Sequence, residues 1–273
     1  MQDLKNKNVY IIGGSSGIGL AAAIQFARGG ADVRIFSRDE NRLELAAKEI
    51  AGCAASEGRS VAYMQLDVSD RDQVNTVMAQ AVSDFGVPDV LLNCAGRAYP
   101  YRFEDVTYEQ FDETIKINLY GIWNTVSAAL PFMKERGGYI VNVSSVAGII
   151  GVFGLSDYCA SKFGVIGLSE ALRSELKQYN IRVSVLCPPD TDTPAFEVEN
   201  RTKPPETKAI SETAALMQPV EVATALLRGM QKNQFLIVPG ANAKFSVLMK
   251  RLFPSVVNYV MERTIHNVQK SIP

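Results

Sequence analysis

Residues 9–23 read VYIIGGSSGIGLAAA. The apolar run Val9–Ile12 stops at a glycine-dense turn, with Gly13, Gly17 and Gly19 spaced G-x-x-x-G-x-G rather than G-x-G-x-x-G. In such a turn one glycine lets the chain reverse sharply, one lets backbone approach a pyrophosphate, and one lets the next helix pack closely on its strand. Ser15, Ser16, Gly17 and Ile18 then fall at a helix start, where free N–H groups and the helix dipole attract phosphate. A plain strand-to-helix turn would use the same glycines. Its place directly after the first apolar strand favours a bound dinucleotide.

The same alternation continues outward. Strand-like apolar runs at Asp32–Phe36, Ala62–Leu66, Val90–Asn93, Tyr139–Val143, Arg182–Leu186 and Phe235–Val238 are separated by stretches of helical period. Each strand is nearly all apolar and is followed by a helix, the pattern of parallel strands buried on both faces. The fold expected is α/β: a doubly wound Rossmann-type parallel sheet of about seven strands with helices on both faces. Its ligand crevice lies at the carboxyl ends of the strands. One catalytic domain should span 1–273. Only the Pro/Thr/Glu-rich insert 188–217, which reads as a substrate lid, and the amphipathic tail 241–273 depart from the rhythm.

Composition excludes several classes of function. A formal net charge of −1 and the lack of a basic stripe argue against nucleic acid as a partner. The four cysteines form no C-x-x-C, and no targeting segment is read before the first strand, so reduced thiols in a cytoplasmic setting are expected. A single histidine, His266, rules out a Ser-His-Asp triad and a multi-histidine centre, so no metal is expected. Residues 137–155 carry no charge, but their five glycines, paired serines and Asn142 argue against a spanning helix.

Two further stretches carry chemistry. Strand two ends in RIFSRDE (residues 34–40), placing Ser37 and Arg38 where an NAD site usually has Asp or Glu. That favours the 2′-phosphate of NADP(H), with Asp39 and Glu40 opening the next helix. Residues 143–164 read VSSVAGIIGVFGLSDYCASKFG. Tyr158 and Lys162 lie four apart on one helical face, and an ammonium there should lower the phenol's pKa and make it a usable proton donor to a ketone. Ser145, at the end of a strand, could hold the substrate oxygen. Asn118, polar among apolar neighbours in IKINLYG, reads either as a satisfied core amide or as a water-held relay to the lysine.

IGGSSGIG, LLNCAG, IKIN, VNVSS and YCASK, in this order and at these intervals, resemble the short-chain dehydrogenase/reductase family over about residues 6–240. The resemblance implies Tyr158 as general acid, Lys162 as the cation that lowers its pKa and holds the nicotinamide ribose, Ser145 as the carbonyl orienter and Asn118 in the proton relay. For the cofactor it implies Gly13, Gly17 and Gly19 at the pyrophosphate, Asp67 and Val68 at the adenine edge, and Asn93, Ala95 and Gly96 on the adenosine side. Pro188, Thr191 and Thr193 would close over the cofactor from the lid. Three positions depart from the family pattern: Ile12 for threonine, Cys94 for asparagine and Pro189 for glycine.

The insert CPPDTDTPAFEVENRTKPPETKAISET resembles the subgroup that reduces 3-ketodihydrosphingosine, which implies a lipid ketone as substrate. A general carbonyl reductase acting on a β-keto thioester, a steroid or another ketone is the alternative. Asp190, Asp192, Glu197 and Glu199 make the lid's first half acidic, suiting either a substrate ammonium or a solvated loop. In the tail, Phe245, Leu248, Met249 and Leu252 share a helical face beside Lys244, Lys250 and Arg251. Such a face either contacts a membrane surface peripherally or packs on its own domain or a partner subunit, packing being the commoner fate. Family members are often dimers or tetramers, so a homo-oligomer built on the helices around 107–135 and 158–178 is expected.

Overall fold

The computed structural model describes residues 4–54, 60–213 and 215–271. Seven parallel strands form one sheet: β1 (Asn8–Ile12), β2 (Asp32–Ser37), β3 (Val61–Gln65), β4 (Val90–Asn93), β5 (Gly138–Val143), β6 (Ile181–Leu186) and β7 (Leu236–Ile237). Their order is β3-β2-β1-β4-β5-β6-β7. The doubly wound sheet expected from the sequence is therefore present, with β4 on its expected run and the other strands off by one residue at one or both ends.

Helices cover both faces. Val9, Ile11, Val33, Ile35 and Leu92 face α1 (Gly17–Arg28), α2 (Glu40–Gly52) and α9 (Pro219–Gln231). Tyr10, Ile12, Phe36, Leu91 and Ile140 face α3 (Arg71–Phe85), α5 (Gly121–Met133) and α6 (Ser156–Glu175). Alternate residues of each strand thus enter opposite cores, which is why the strands read as unbroken apolar runs. The order in which strands are added to the sheet reverses between β1 and β4, opening the crevice at their carboxyl ends.

The helical stretch before β5 is interrupted. α4 (Tyr108–Ile115) passes through one π-type turn, Lys116–Tyr120, into α5. The lid forms two short helices, α7 (Pro194–Asn200) and α8 (Pro205–Ser211), and the tail forms α10 (Ala241–Leu252) and α11 (Pro254–Ser271). α11 packs on α8 and α10, so the tail closes over the lid of its own domain. Its outer faces still expose Phe245, Leu248, Leu252, Phe253, Tyr259 and Val260. The helices expected to join subunits likewise expose Tyr120, Trp123 and Phe163. Among the described residues no helix is long and apolar enough to cross a membrane, and residues 137–155 form β5 and its following turn instead.

Candidate active site

A cleft of ≈ 1350 Å³ opens at the strand ends and runs from the glycine turn past Ser145 and Tyr158 to the lid and tail. At its floor Gly13 has φ +82°, and a Cβ there would lie 2.7 Å from Ala95 N. A Cβ on Gly19 would stand 2.1 Å from Gly13 O. Any side chain at either position would push apart the β1 turn, α1 and the β4 loop. Gly13, Ser15, Ser16, Gly17 and Ile18 line the cleft, while Gly19 is buried behind them as the close-packing glycine. This cradle, with free N–H groups at the start of α1, fits a dinucleotide pyrophosphate.

At the end expected to take adenosine, Ser37, Arg38, Asp67, Val68, Ala95 and Gly96 line the cleft. Arg38 is exposed, its guanidinium 3.9 Å from Asp67 Oδ2. Asp39 caps α2 by accepting from Arg42 N, which keeps this acid in the helix start as expected. Arg42 also lines the cleft, and the sequence reading missed it. The signal was there, because Arg42 stands four residues after Arg38 at a helix start.

Asn93 is the departure. Its side chain lies outside the cleft lining, 2% exposed, donating to Asn142 Oδ1 (2.9 Å) and accepting from Thr125 Oγ1 (2.8 Å). Asn142 in turn donates to Ser169 Oγ. Asn93 therefore ties β4 to β5 and α5 through a satisfied buried network, and its effect on the cleft runs through the backbone it fixes.

At the reacting end Ser145 follows β5 and lines the cleft together with Tyr158, its hydroxyl donating to Pro188 O at 3.4 Å. Ser145 Oγ also accepts from Ala147 N (3.1 Å), which fixes the turn that presents it. Lys162 stands one helical turn beyond Tyr158 and donates to Val143 O (2.9 Å), its Nζ 5.5 Å from the tyrosine ring centroid. Asn118 is fully buried in the π-type turn, accepting from Arg97 N and donating to Arg97 O and Ser161 Oγ. Both Asn118 Oδ1 and Lys162 Nζ lie against Gly96, at 3.5 and 3.4 Å from where its Cβ would stand. Ser145, Tyr158, Lys162 and Asn118 are thus brought together, but both donors of the Asn118 amide and one acceptor position of its oxygen are already engaged.

The electrostatics correct one expectation. Burial, not Lys162, governs the phenol: it pushes Tyr158 above its ordinary value, Glu199 adds to the rise, and the neighbouring Ser145 hydroxyl opposes it. The ammonium gives one of its three donors to Val143 O and is itself destabilised, burial pulling Lys162 down to about 8. Tyr158 keeps some accessible surface toward the cleft, so water there offsets part of its burial. At neutral pH the phenol holds its proton, as a donor to a carbonyl must.

Pro188, Thr191 and Thr193 line the cleft from above. Pro188 O accepts from Val146 N, Thr191 Oγ1 donates to Pro189 O (2.8 Å), and Thr193 caps α7 by accepting from Phe196 N (3.1 Å). Both threonines are thereby engaged in shaping the lid. Among the described residues no group of His, Cys, Asp or Glu is arranged to hold a metal ion.

The family model described as short chain dehydrogenase matches residues 7–204. The chain belongs to the short-chain dehydrogenase family. It is 42% identical over 234 residues to the 3-dehydrosphinganine reductase of Danio rerio, covering 85% of this chain and 70% of that one. It is 39% identical over 195 residues to the 3-oxoacyl-[acyl-carrier-protein] reductase of Thermotoga maritima, covering 71% and 78%. A short-chain dehydrogenase/reductase from Burkholderia phymatum, solved in complex with NAD, shares the fold with a TM-score of 0.82 at 23% identity over 94% of this chain and 96% of that one. The protein is accordingly an oxidoreductase of this family.

Proposed function

We propose that the protein uses NADPH to reduce the C3 ketone of 3-ketodihydrosphingosine to dihydrosphingosine. One observation carries the reading: Ser145 and Tyr158 both line a single cleft between a glycine cradle and an apolar wall supplied by the lid and the tail. Phe196, Val198, Phe245, Met249, Val257 and Met261 line that wall, a lining suited to an alkyl chain. The 42% identity to a 3-dehydrosphinganine reductase supports the same substrate. When bound, the reduced nicotinamide supplies hydride to the carbonyl carbon. Ser145 then orients the carbonyl oxygen, Tyr158 gives it a proton, and Lys162 holds positive charge beneath the phenol as that proton leaves. Arg38 and Arg42 support NADPH over NADH through the 2′-phosphate. Tyr158→Phe should lower kcat by about 10²- to 10⁴-fold while NADPH still quenches protein fluorescence. Turnover at the wild-type rate would remove the mechanism.

The α10–α11 hairpin, in the same reading, rests on an anionic lipid surface beside the cleft mouth. Residues 241–271 carry five basic side chains against one acidic. Phe245 and Val260 are both exposed and part of the cleft wall, so a continuous apolar path leads from the outer surface toward Tyr158. Cosedimentation with phosphatidylcholine vesicles containing phosphatidylglycerol should exceed that with phosphatidylcholine alone, and Lys250→Glu with Arg251→Glu should abolish the excess. No sedimentation, or a dimer that Phe245→Asp dissociates, would assign the face otherwise.

A further inference from the structure

Helix α7 opens on Pro194, capped by Thr193, and carries Phe196, Val198 and Glu199 over the cleft. Glu199 is half-buried, and among the described residues its carboxylate makes no hydrogen bond and no ion pair. The cation that ought to serve it is Lys203, one helical turn further on. Lys203 is turned elsewhere: its ammonium stacks on the Phe196 ring at 3.9 Å from the centroid and lies 3.6 Å from Asp190 Oδ2. One lysine, with only 3% of its side chain exposed, therefore faces two carboxylates and pairs with Asp190.

A carboxylate drawn out of water without a partner is costly, and a fold keeps one where something else completes it. Burial raises Glu199 to about 7; Asp190 and Asp157 add to the rise, and Lys203 and Lys162 oppose it. Glu199 is also close enough to raise the Tyr158 phenol and to bias Lys162. It lines the same cleft as Tyr158 and Lys162, on helix α7 of the lid.

We infer that Glu199 receives the ammonium of an α-amino ketone, and so selects substrates whose amine sits on the carbon next to the reacting carbonyl. The inference rests on the proposed reduction of 3-ketodihydrosphingosine and adds the residue that tells it from a β-keto thioester. Glu199 orients the substrate and takes no part in the proton transfer.

The test compares 3-ketodihydrosphingosine with its N-acetyl derivative, which keeps the ketone and chain but lacks the charge. Wild type should favour the free amine, by about 10- to 100-fold in kcat/KM. Glu199→Gln should raise KM for the free amine by a similar factor, leave kcat within a few-fold and erase the preference. Glu199→Asp should recover part of it. NADPH binding, followed by fluorescence, should be the same in all three proteins. Equal use of both ketones by wild type would overturn the inference without needing any variant. So would a Glu199→Gln protein that keeps the preference, or one that binds NADPH normally yet loses kcat on both ketones. If wild type reduces neither ketone but does reduce a β-keto thioester, the substrate reading itself fails, a result distinct from these.

Discussion

Tyr158 and Lys162 are moved in opposite directions by the same burial, and each shift has a measurable consequence. Lys162 binds its proton less tightly in the folded chain, about 8 against 10.5, so its charge costs stability below pH 8. That cost fades as pH rises from 8 toward 10.5. Lys162→Met should therefore raise the thermal midpoint at pH 7 by more than at pH 10, while activity collapses; the opposite ordering would contradict the burial argument. In the free enzyme kcat/KM should fall above about pH 8 as Lys162 loses its proton, since the phenol titrates higher. Arg38→Ala should raise KM for NADPH about 10-fold or more and leave KM for NADH little changed, as the loss of a charge-assisted phosphate contact requires. At this scale the sequence was legible where spacing alone fixes geometry. Tyr158 and Lys162 had to share a helical face. It was not legible where the partner is remote, as with Glu199, deprived of Lys203 by Asp190 and Phe196.

Elements were read best where burial on both sides leaves no choice. β1, β2, β4 and β5 lie within a residue or so of their apolar runs because any slip would place polar groups in one of two cores. The stretch through Asn118 was less legible: as a pattern it continues as one helix, but it widens into a π-type turn. There the Asn118 side chain bonds the Arg97 backbone, an exchange between elements that no local pattern reveals. The close approach in the glycine turn can be tested directly. Gly19→Ala would put a methyl 2.1 Å from Gly13 O, so the variant should lose NADPH binding even where it still folds. The lid has its own anchor, the fully buried Glu206 of α8 paired with Arg102 at 2.7 Å. Arg102→Ala removes the charged partner of that buried carboxylate, leaving it the 3.4 Å bond from Gln269 of α11, and should loosen the lid, raising substrate KM several-fold with a smaller change in kcat. An unchanged KM would mean that α8 is held by its packing on α11 alone.

Across the whole molecule, dinucleotide cradle, hydroxyl pair and apolar wall come from widely separated parts of the chain, and the sheet's switch point assembles them. The first half of that arrangement was legible, since the order of strands and the glycine turn determine where the crevice opens. The closing of the tail over the lid was not, because an amphipathic helix announces a buried face without naming what covers it. The most direct test of the account is NADPH consumption by the purified protein with 3-ketodihydrosphingosine, set against a β-keto thioester at matched concentration. A strong preference for the sphingoid ketone is the predicted result. Equal or reversed activity would contradict the substrate assignment while leaving the Tyr158 chemistry in place.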